Sequence, residues 1–507
     1  MRWAYMLGIV IWTIAIYSIR LRAPYVADDH FIFYRLQHGG VFGFASLPPT
    51  SFFRPLISLH YYLDYLAGMP PLLSHGLNLA WHTLCALLLY VWACWLLMLQ
   101  GWNRGRAEAA AHLSALLFAV LPANVEAVAW FASRADMVAA AGALGALLLL
   151  MRYCQSGRLG DYLGALMGFA VGLFCKESLL TFPLMVWVWL RFLGVAEPTR
   201  KALPFWGVLT VYLILRTAVV GGVGAYPEAW QTLQRPWLLL VNLAAYLAQM
   251  GMPAILYGFG RDAWDTALWS VWGVGVVGIL YTARVAASSS VGRAETRLLT
   301  AFVLLALMPV LIFKPSPFYF LNSRYTYLAS AFALVGVSAY LTHLLRYRVA
   351  QGAIIMLLLA YSSGAIRQVD AWREAGETAR RSILSLRDAP TEQPLLLLSV
   401  PDHFHGAYIW RAGFPEAVAL LLPERASQPI VAASRFTMRL NTKVQVNYAD
   451  GVATLSSPSD IFLRPEHLRI PSGDEPIALP DKLIIHQSLI DRYYLMAFQE
   501  GRFVKAH

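Results

Sequence analysis

A chain of 507 residues that is 58% hydrophobic and only 14% charged has more apolar surface than a water-soluble fold can bury. Its net charge of +11 would favour nucleic-acid binding in a soluble protein. Here the basic residues lie in short loops between apolar stretches, so we exclude nucleic acid as a partner and predict an integral membrane protein.

Apolar stretches recur from about residue 3 to about residue 366. The lengths of these stretches predict eleven transmembrane helices, at residues 3–20, 72–99, 108–121, 127–151, 161–175, 178–196, 204–220, 267–283, 299–313, 325–345 and 352–366. The first stretch is followed by no small-residue cleavage site, so we interpret it as a retained helix. We interpret 236–257 as a re-entrant or interfacial helix, because a crossing there would disturb the alternation of loop charge.

Basic residues fall in every second connection, which predicts that those connections are cytoplasmic. They are Arg104, Arg106, Arg152, Arg158, Arg200, Lys201, Arg284, Arg293, Arg297, Arg346 and Arg348. The loop 21–71 and the C-terminal part of the chain then lie outside. We predict a multi-pass protein of a bacterial inner membrane, with a transmembrane domain over 1–366 and a soluble extracytoplasmic α+β domain over 367–507.

The C-terminal part returns to the composition of a soluble domain. Trp372, Ile383 and Leu386 recur at helical spacing, which predicts an amphipathic helix over 367–388. Alternating β-formers predict strands at 395–400, 443–448, 452–456, 482–486 and 493–498. Ala449-Asp-Gly451 predicts a hairpin turn between the second and third of these strands.

Charged and polar residues gather on the predicted outer side. They are Asp28, Asp29, Arg54, Glu126, Arg134, Asp136, Lys176, Glu177, Lys314 and Arg324. Charges near a low-dielectric boundary are tolerated mainly when they are paired or line a polar cavity. Two adjacent acids also repel each other, which favours a chemical role or a bound cation for Asp28 and Asp29 over a solvated acid pair of a loop. The pattern indicates a cavity for a charged lipid headgroup and an acceptor hydroxyl.

Structural interpretations of the same residues stay open. Glu126, Arg134 and Asp136 fit a salt-bridge network that only orients helices, although Arg134 and Asp136 are too close in sequence to share a helical face. Lys176 with Glu177 fits an interfacial pair, and Arg324 fits an anchor in an aromatic belt. His75, Asn78 and His82 share one helical face, which favours a hydrogen-bonded helix contact over a metal site. We interpret Asp402-His403-Phe-His405 as structural.

Several short motifs occur in an order that resembles one family. They are Asp28-Asp29, Ser51-Phe-Phe-Arg-Pro-Leu56, His75-Gly-Leu-Asn78 with His82, Leu121-Pro-Ala-Asn-Val-Glu-Ala-Val128 with Ser133-Arg-Ala-Asp136, Cys175-Lys-Glu177, and Asn322-Ser-Arg-Tyr-Thr-Tyr-Leu328. This series resembles the transmembrane and tetratricopeptide-repeat O-mannosyltransferases and, more distantly, the protein O-mannosyltransferases and other type C (GT-C) glycosyltransferases. The chain departs from the family in lacking a 34-residue helical repeat and in carrying Ala123 where a His-Pro pair is usual.

The resemblance implies an inverting hexosyltransferase that moves a sugar, such as mannose, from a polyprenyl-phosphate carrier to a hydroxyl. It implies that Asp28 is the general base and that Asp29 raises the pKa of its neighbour or orients the acceptor. Lys176 and Arg324, with Arg134 as a further candidate, would hold the lipid phosphate, and Glu177 would hold Lys176. The remaining candidates for substrate binding are Arg54, His75, Asn78, Glu126 and Asp136. We predict no cofactor and no metal, with divalent-cation use left open.

Two questions stay open at this point. The acceptor is either a protein Ser or Thr or a glycan or lipid of the cell envelope. A membrane transporter or flippase of a lipid-linked or anionic substrate is the alternative function, since such proteins also carry intramembrane charges. Polar residues clustered on one face, and the lack of an internal repeat, favour the transferase.

Overall fold

A computed structural model describes residues 2–46, 52–221, 227–251, 292–315, 321–432, 435–438, 445–449, 452–456, 462–463, 477–478, 482–486 and 492–506. The chain divides into two compact units. The first unit comprises Met1–Ser18 and Val41–Val369, and the second comprises Ile19–Gly40 and Asp370–His507. This division differs from the predicted domains mainly at residues 19–40, which group with the C-terminal part.

The first unit is helical. Its helices are α1 (Arg2–Tyr17), α3 (Pro55–Leu66), α4 (Pro71–Leu99), α5 (Arg104–Val120), α6 (Val125–Ala129), α7 (Arg134–Ser156), α8 (Leu159–Cys175), α9 (Phe182–Phe192), α10 (Pro198–Val220), α11 (Pro227–Gln234), α12 (Trp237–Gly251), α13 (Gly292–Leu307), α14 (Tyr327–Leu344) and the first part of α15 (Arg348–Ser385). Pro55 and Pro71 lie in the first turns of α3 and α4, where no intrahelical hydrogen bond is lost.

Among the described residues, six helices are long and apolar enough to cross a membrane, or seven if the bent pair α5–α6 counts as one span. The expectation of about eleven spans is therefore not confirmed. Leu159–Cys175, Phe182–Phe192 and Trp237–Gly251 are apolar but shorter than 18 residues. At about 1.5 Å per residue they fall short of a hydrocarbon core about 30 Å thick. The predicted span 267–283 lies outside the described residues.

Two features of the first unit place polar residues at particular helix ends. The chain bends by 54° between α5 and α6, at Pro122, and this bend places Glu126 on a short helix of its own. Helices α7 and α8 form a tight hairpin in which Gly142, Gly168 and Gly172 lie at the crossing. A Cβ on Gly172 would lie 3.2 Å from the carbonyl oxygen of Ala139. The start of α7 and the end of α8 therefore lie side by side.

Aromatic rings form the core of the first unit. The ring centroids of Trp92 and Trp189 are 5.6 Å apart, and those of Trp92 and Phe332 are 5.4 Å apart. Phe302 lies 4.9 Å from Phe332 in a T-shaped contact. These side chains are fully buried. Edge-to-face packing of this kind fixes the helices against one another.

The second unit combines helices with short strands. Its helices are α2 (Asp28–Gly39), the last part of α15 and α16 (Phe414–Leu421). Its strands are β1 (Leu395–Leu397), β2 (Val400–Phe404), β3 (Ala407–Tyr408), β4 (Ile430–Ala432), β5 (Arg435–Met438), β6 (Gln445–Ala449), β7 (Val452–Ser456), β8 (Phe462–Leu463), β9 (Ile477–Ala478), β10 (Lys482–His486), β11 (Tyr494–Gln499) and β12 (Arg502–Lys505).

These strands form three four-stranded sheets, with the orders β12-β11-β1-β4, β6-β7-β10-β9 and β3-β2-β5-β8. β1 is parallel to both β4 and β11, and its three leucines are buried. β6 and β7 form the predicted hairpin, with Ala449 opposite Val452. Strands β1, β6, β7, β10 and β11 overlap the five predicted strands, but the predicted strand 395–400 is interrupted after Leu397, and residues 443–444 lie outside the described residues. The predicted amphipathic helix forms the last part of α15 and is continuous with the preceding apolar stretch.

Candidate functional site

Three cation–carboxylate pairs of the first unit form the candidate site. Their cations are Arg54, Lys176 and Arg324, which we call the cation cluster. Two of these cations approach the ring of Tyr325: the Lys176 Nζ lies 5.1 Å and the Arg324 Cζ lies 4.6 Å from its centroid. The aromatic face attracts both charges and brings them together.

Lys176 is paired with Asp136. The Lys176 Nζ lies 2.5 Å from the Asp136 Oδ2, and both side chains are almost fully buried. Lys176 directly follows α8 and Asp136 lies in the first turn of α7, so the tight α7–α8 hairpin brings them together. Burial lowers the pKa of Lys176 to about 8. The negative charge of Asp136 opposes this shift, and the positive charges of Arg54 and Arg324 add to it. The ammonium is thus held in a position where a further anion would stabilise it.

Arg324 is paired with Glu126. The guanidinium Nη1 donates to the Glu126 Oε1, while the Arg324 backbone N–H donates to Oε2 at 3.1 Å and the Ser323 hydroxyl donates to Oε2 at 3.3 Å. The guanidinium also lies over the Trp130 ring, with Cζ 5.0 Å from the centroid. Its side chain keeps 14% exposure, so it can also reach a ligand.

Arg54 forms a bidentate pair with Glu177. Its Nε donates to Oε2 at 2.8 Å and its Nη2 donates to Oε1 at 2.5 Å. Burial alone would raise the pKa of Glu177, but the Arg54 guanidinium and its hydrogen bonds hold that pKa at about 2. Because Glu177 stays ionised, it fixes Arg54 beside Lys176.

This arrangement suits binding of a phosphate. The three cations and their three carboxylates carry no net charge together, so the cluster is tolerated when no ligand is present. Arg supplies a planar fork of donors and Lys a point charge, and both match phosphate oxygens. Arg54 and Arg324 retain 15% and 14% exposure, which leaves part of each guanidinium accessible.

Arg134 lies in a separate, fully buried network. It forms an ion pair with Asp64, and both side chains are 0% exposed. Its Nε donates to the Asn78 Oδ1 at 2.7 Å and its Nη2 to the Ser74 carbonyl at 2.9 Å. Asn78 in turn donates to the carbonyls of Val128 and Trp130. Arg134 and Asn78 therefore orient helices and the loop after α6, which matches the open structural interpretation of Arg134.

Two histidines of α4 are buried, His75 at 3% and His82 at 0% exposure. The His82 Nδ1 lies 2.7 Å from the Tyr327 hydroxyl, and its Nε2 lies 3.2 Å from the Ala119 carbonyl. His82 thus makes a hydrogen-bonded helix contact. Over the described ranges, no group of three His, Cys, Asp or Glu side chains has the arrangement of a metal site.

Asp28 and Asp29 belong to the second unit, at the start of α2. Asp28 is half-buried, whereas Asp29 is fully buried and its Oδ2 accepts a hydrogen bond from the Val26 backbone N–H at 3.0 Å. Both carboxylates lie in the first helical turn, where the helix dipole favours negative charge. Asp29 therefore shapes the turn, and Asp28 is the more accessible acid.

Sequence reasoning assigned no site role to Asp64, Ser74, Ser323 or Tyr325, which belong to these networks. Asp64 lies on α3 among apolar residues, and a lone acid on such a helix predicts a buried cationic partner. Ser323 and Tyr325 flank Arg324, and nothing in their sequence positions indicates that they contact Glu126 or Lys176.

No protein-family model matches the chain. Part of the chain is similar to proteins named protein O-mannosyl-transferase. Tmtc1 of Drosophila melanogaster is 33% identical over 129 residues, which cover 25% of this chain and 14% of that protein. TMTC1 of Mus musculus is 36% identical over 120 residues, or 24% and 12%, and TMTC1 of Homo sapiens is 38% identical over 109 residues, or 21% and 12%.

The similarity supports an O-mannosyltransferase-like relationship. The matched segments span only 12–14% of the length of these relatives. In the part of the chain that the structure describes, several helices are long and apolar enough to cross a membrane.

Proposed function

We propose that the protein is a type C glycosyltransferase of a bacterial inner membrane. It moves a sugar from a polyprenyl-phosphate carrier to an acceptor hydroxyl on the outer face and inverts the anomeric carbon. The observation that carries this proposal is the cation cluster, in which Lys176 and Arg324 meet at the Tyr325 ring, in the unit that holds most of the candidate membrane spans. A lipid-linked phosphate needs such cations beside a membrane.

The cation cluster stabilises the leaving group. As the glycosidic bond breaks, negative charge grows on the lipid phosphate, and fixed cations lower the energy of that transition state. Lys176 and Arg324 are the main phosphate ligands and Arg54 assists them. Asp136, Glu126 and Glu177 hold these cations before the donor binds, so little reorganisation is needed when it arrives.

Asp28 acts as the general base. It accepts the proton of the attacking hydroxyl as that oxygen bonds to the anomeric carbon, while the lipid phosphate leaves with the bonding electrons. Asp28 and Arg54 lie in one connection, between the candidate spans Trp3–Arg20 and Pro71–Leu99.

The acceptor is a protein Ser or Thr hydroxyl or a hydroxyl of a cell-envelope glycan or lipid. The names of the similar proteins favour a protein acceptor and mannose as the sugar. We propose no metal ion, because the donor groups of Arg54, Lys176 and Arg324 can bind the phosphate oxygens directly.

A flippase or transporter of a lipid-linked anion is the second candidate function. Buried ion pairs within a helical membrane unit favour it, because such pairs also mark transport pathways. The two functions differ in their need for a base: a flippase has no proton to abstract and would keep its activity without Asp28.

The test is sugar transfer by the purified protein in nanodiscs. The donors are polyprenyl-phosphate mannose, glucose and galactose, and the acceptors are peptides that contain serine and threonine or envelope glycans. The products are identified by mass spectrometry. We expect Asp28→Asn to bind the donor but to lose transfer. Lys176→Ala and Arg324→Ala should weaken donor binding. Asp161→Asn, at the opposite end of α8, is the matched control and should change neither. Wild-type turnover by Asp28→Asn would refute the catalytic assignment.

A further inference from the structure

The start of α2 has an unusual backbone. Ala27, which precedes Asp28, has φ of +43°, a region that residues with a Cβ rarely adopt. Such a conformation persists only where its surroundings hold it, and it is found mainly at functional sites. The Ala27 N–H donates to the Ile409 carbonyl at 3.0 Å, so the C-terminal part of the same unit holds this turn.

Two glycines lie in close contact with residues 24–27, which precede Asp28 and Asp29. A Cβ on Gly413, whose φ is +76°, would collide with the carbonyl oxygen of Ala27 and lie 3.0 Å from its carbonyl carbon. A Cβ on Gly376, in α15, would collide with the carbonyl oxygen of Pro24 and lie 3.2 Å from its carbonyl carbon. The backbone from Pro24 to Ala27 therefore lies in contact with both glycines, without room for a methyl group.

Residues 409–413 are themselves fixed. The Trp410 Nε1 donates to the Ser382 hydroxyl at 2.8 Å, which ties the segment to α15. The Trp410 ring lies 5.4 Å from the ring of His30, one residue after the acidic pair. Burial lowers the pKa of His30 to about 4, so this contact stays uncharged at neutral pH. α16, which begins directly after Gly413, packs against α2.

We propose that residues 409–413 position Asp28 for proton abstraction, with Gly413 as the positioning residue. This inference rests on the proposed function, in which Asp28 is the base. The C-terminal part of the second unit is then a required part of the catalytic apparatus. Gly413 acts because only a residue without a Cβ lets the backbone approach Ala27 this closely.

The test compares three Gly→Ala variants of the full chain. Gly413→Ala places a Cβ against the Ala27 carbonyl group and also strains the backbone at position 413, where φ is +76°. Gly40→Ala, at the other end of α2, adds the same kind of strain at φ +60° but meets no atom within 4 Å, so it is the matched control. Gly376→Ala adds a collision with Pro24 inside a regular helix, without positive φ. It serves as the second variant if Gly413→Ala fails to fold.

The quantities to be measured are kcat per donor-binding site, the KM for the donor and the thermal unfolding temperature. A displacement of about 1 Å at a catalytic base costs about 100-fold in rate. Gly413→Ala and Gly376→Ala should therefore lose about 100-fold in kcat with unchanged donor KM, while Gly40→Ala keeps its kcat. A merely structural role would lower the amount of folded protein and leave kcat per site unchanged.

Wild-type kcat in folded Gly376→Ala or Gly413→Ala, alongside an inactive Asp28→Asn, would overturn the positioning role and leave the proposed function intact. Equal losses of kcat in Gly40→Ala and Gly413→Ala would also overturn it, because strain alone would then explain the effect. Full activity of Asp28→Asn would refute the proposed function itself.

Discussion

Replacing Arg134 by Gln separates support of the site from binding of the donor. Arg134 is 0% exposed and donates to Asp64, Asn78 and Ser74. The change leaves the Asp64 carboxylate buried with only the Ser74 hydroxyl, 2.5 Å away, as its remaining partner in these contacts. We expect a large loss of stability and little change in the donor affinity of the protein that remains folded.

The magnitude follows from the contacts. Hydrogen bonds to a charged group contribute about 1.5–3 kcal/mol each, and Gln can replace one of those made by Arg134. Leaving one partner of a buried ion pair alone costs about 3–5 kcal/mol. At about 2 °C per kcal/mol for a large domain, the unfolding temperature should fall by about 6–10 °C. The double variant Asp64→Asn/Arg134→Gln removes the orphaned charge and should recover part of this loss.

The assay is thermal unfolding in detergent together with donor-lipid binding. Arg324→Gln is the comparison, because its partner Glu126 keeps hydrogen bonds from Ser323 and from the Arg324 backbone. It should lose only about 1–2 kcal/mol of stability but most of its donor affinity. The reasoning is refuted if Arg134→Gln unfolds at the wild-type temperature, or if it loses donor affinity while its stability is unchanged.

Three further predictions concern pH and helix packing. Donor affinity of the wild type should fall as pH rises through about 8, where buried Lys176 loses its proton, whereas in Lys176→Arg the fall should move above about pH 10. Burial raises the pKa of Glu295 from its unfolded value of about 4.5 to about 7. The free energy of unfolding of the wild type should therefore fall as the pH rises from about 4.5 to 7, because the buried carboxyl group then loses its proton. Glu295→Gln should remove this dependence and be more stable by on the order of 2–3 kcal/mol at about pH 9. Gly172→Ala should push α8 from α7, cost about 1–3 kcal/mol in unfolding free energy and weaken donor binding.

Each of these has its own control. Titration of donor binding in Asp161→Asn should follow the wild-type pH curve, and a Lys176→Arg curve identical to the wild type would contradict the Lys176 assignment. Equal stability of wild type and Glu295→Gln across pH, measured by denaturant unfolding, would show that Glu295 is not buried as described. Gly160→Ala, on the same helix with no atom within 4 Å of its Cβ, should leave donor binding intact.

Local patterns in the sequence determined the class of the protein and many of its elements. Apolar runs of about 20 residues predict membrane helices because the hydrocarbon core has a fixed thickness. The same reasoning predicted about eleven spans, which the described residues do not confirm, since helices such as Phe182–Phe192 are apolar but shorter than the hydrocarbon core. The β6–β7 hairpin was predictable because its turn residues are adjacent in sequence.

Only the tertiary structure decided which charges meet. Lys176 pairs with Asp136 across 40 residues, and Arg324 pairs with Glu126 across 198 residues. Each cation had several acids on the predicted outer side as possible partners, and hydropathy and periodicity carry no information about distances between helix ends. The grouping of residues 19–40 with the C-terminal part includes a backbone contact, from Ala27 to Ile409, that no local pattern encodes.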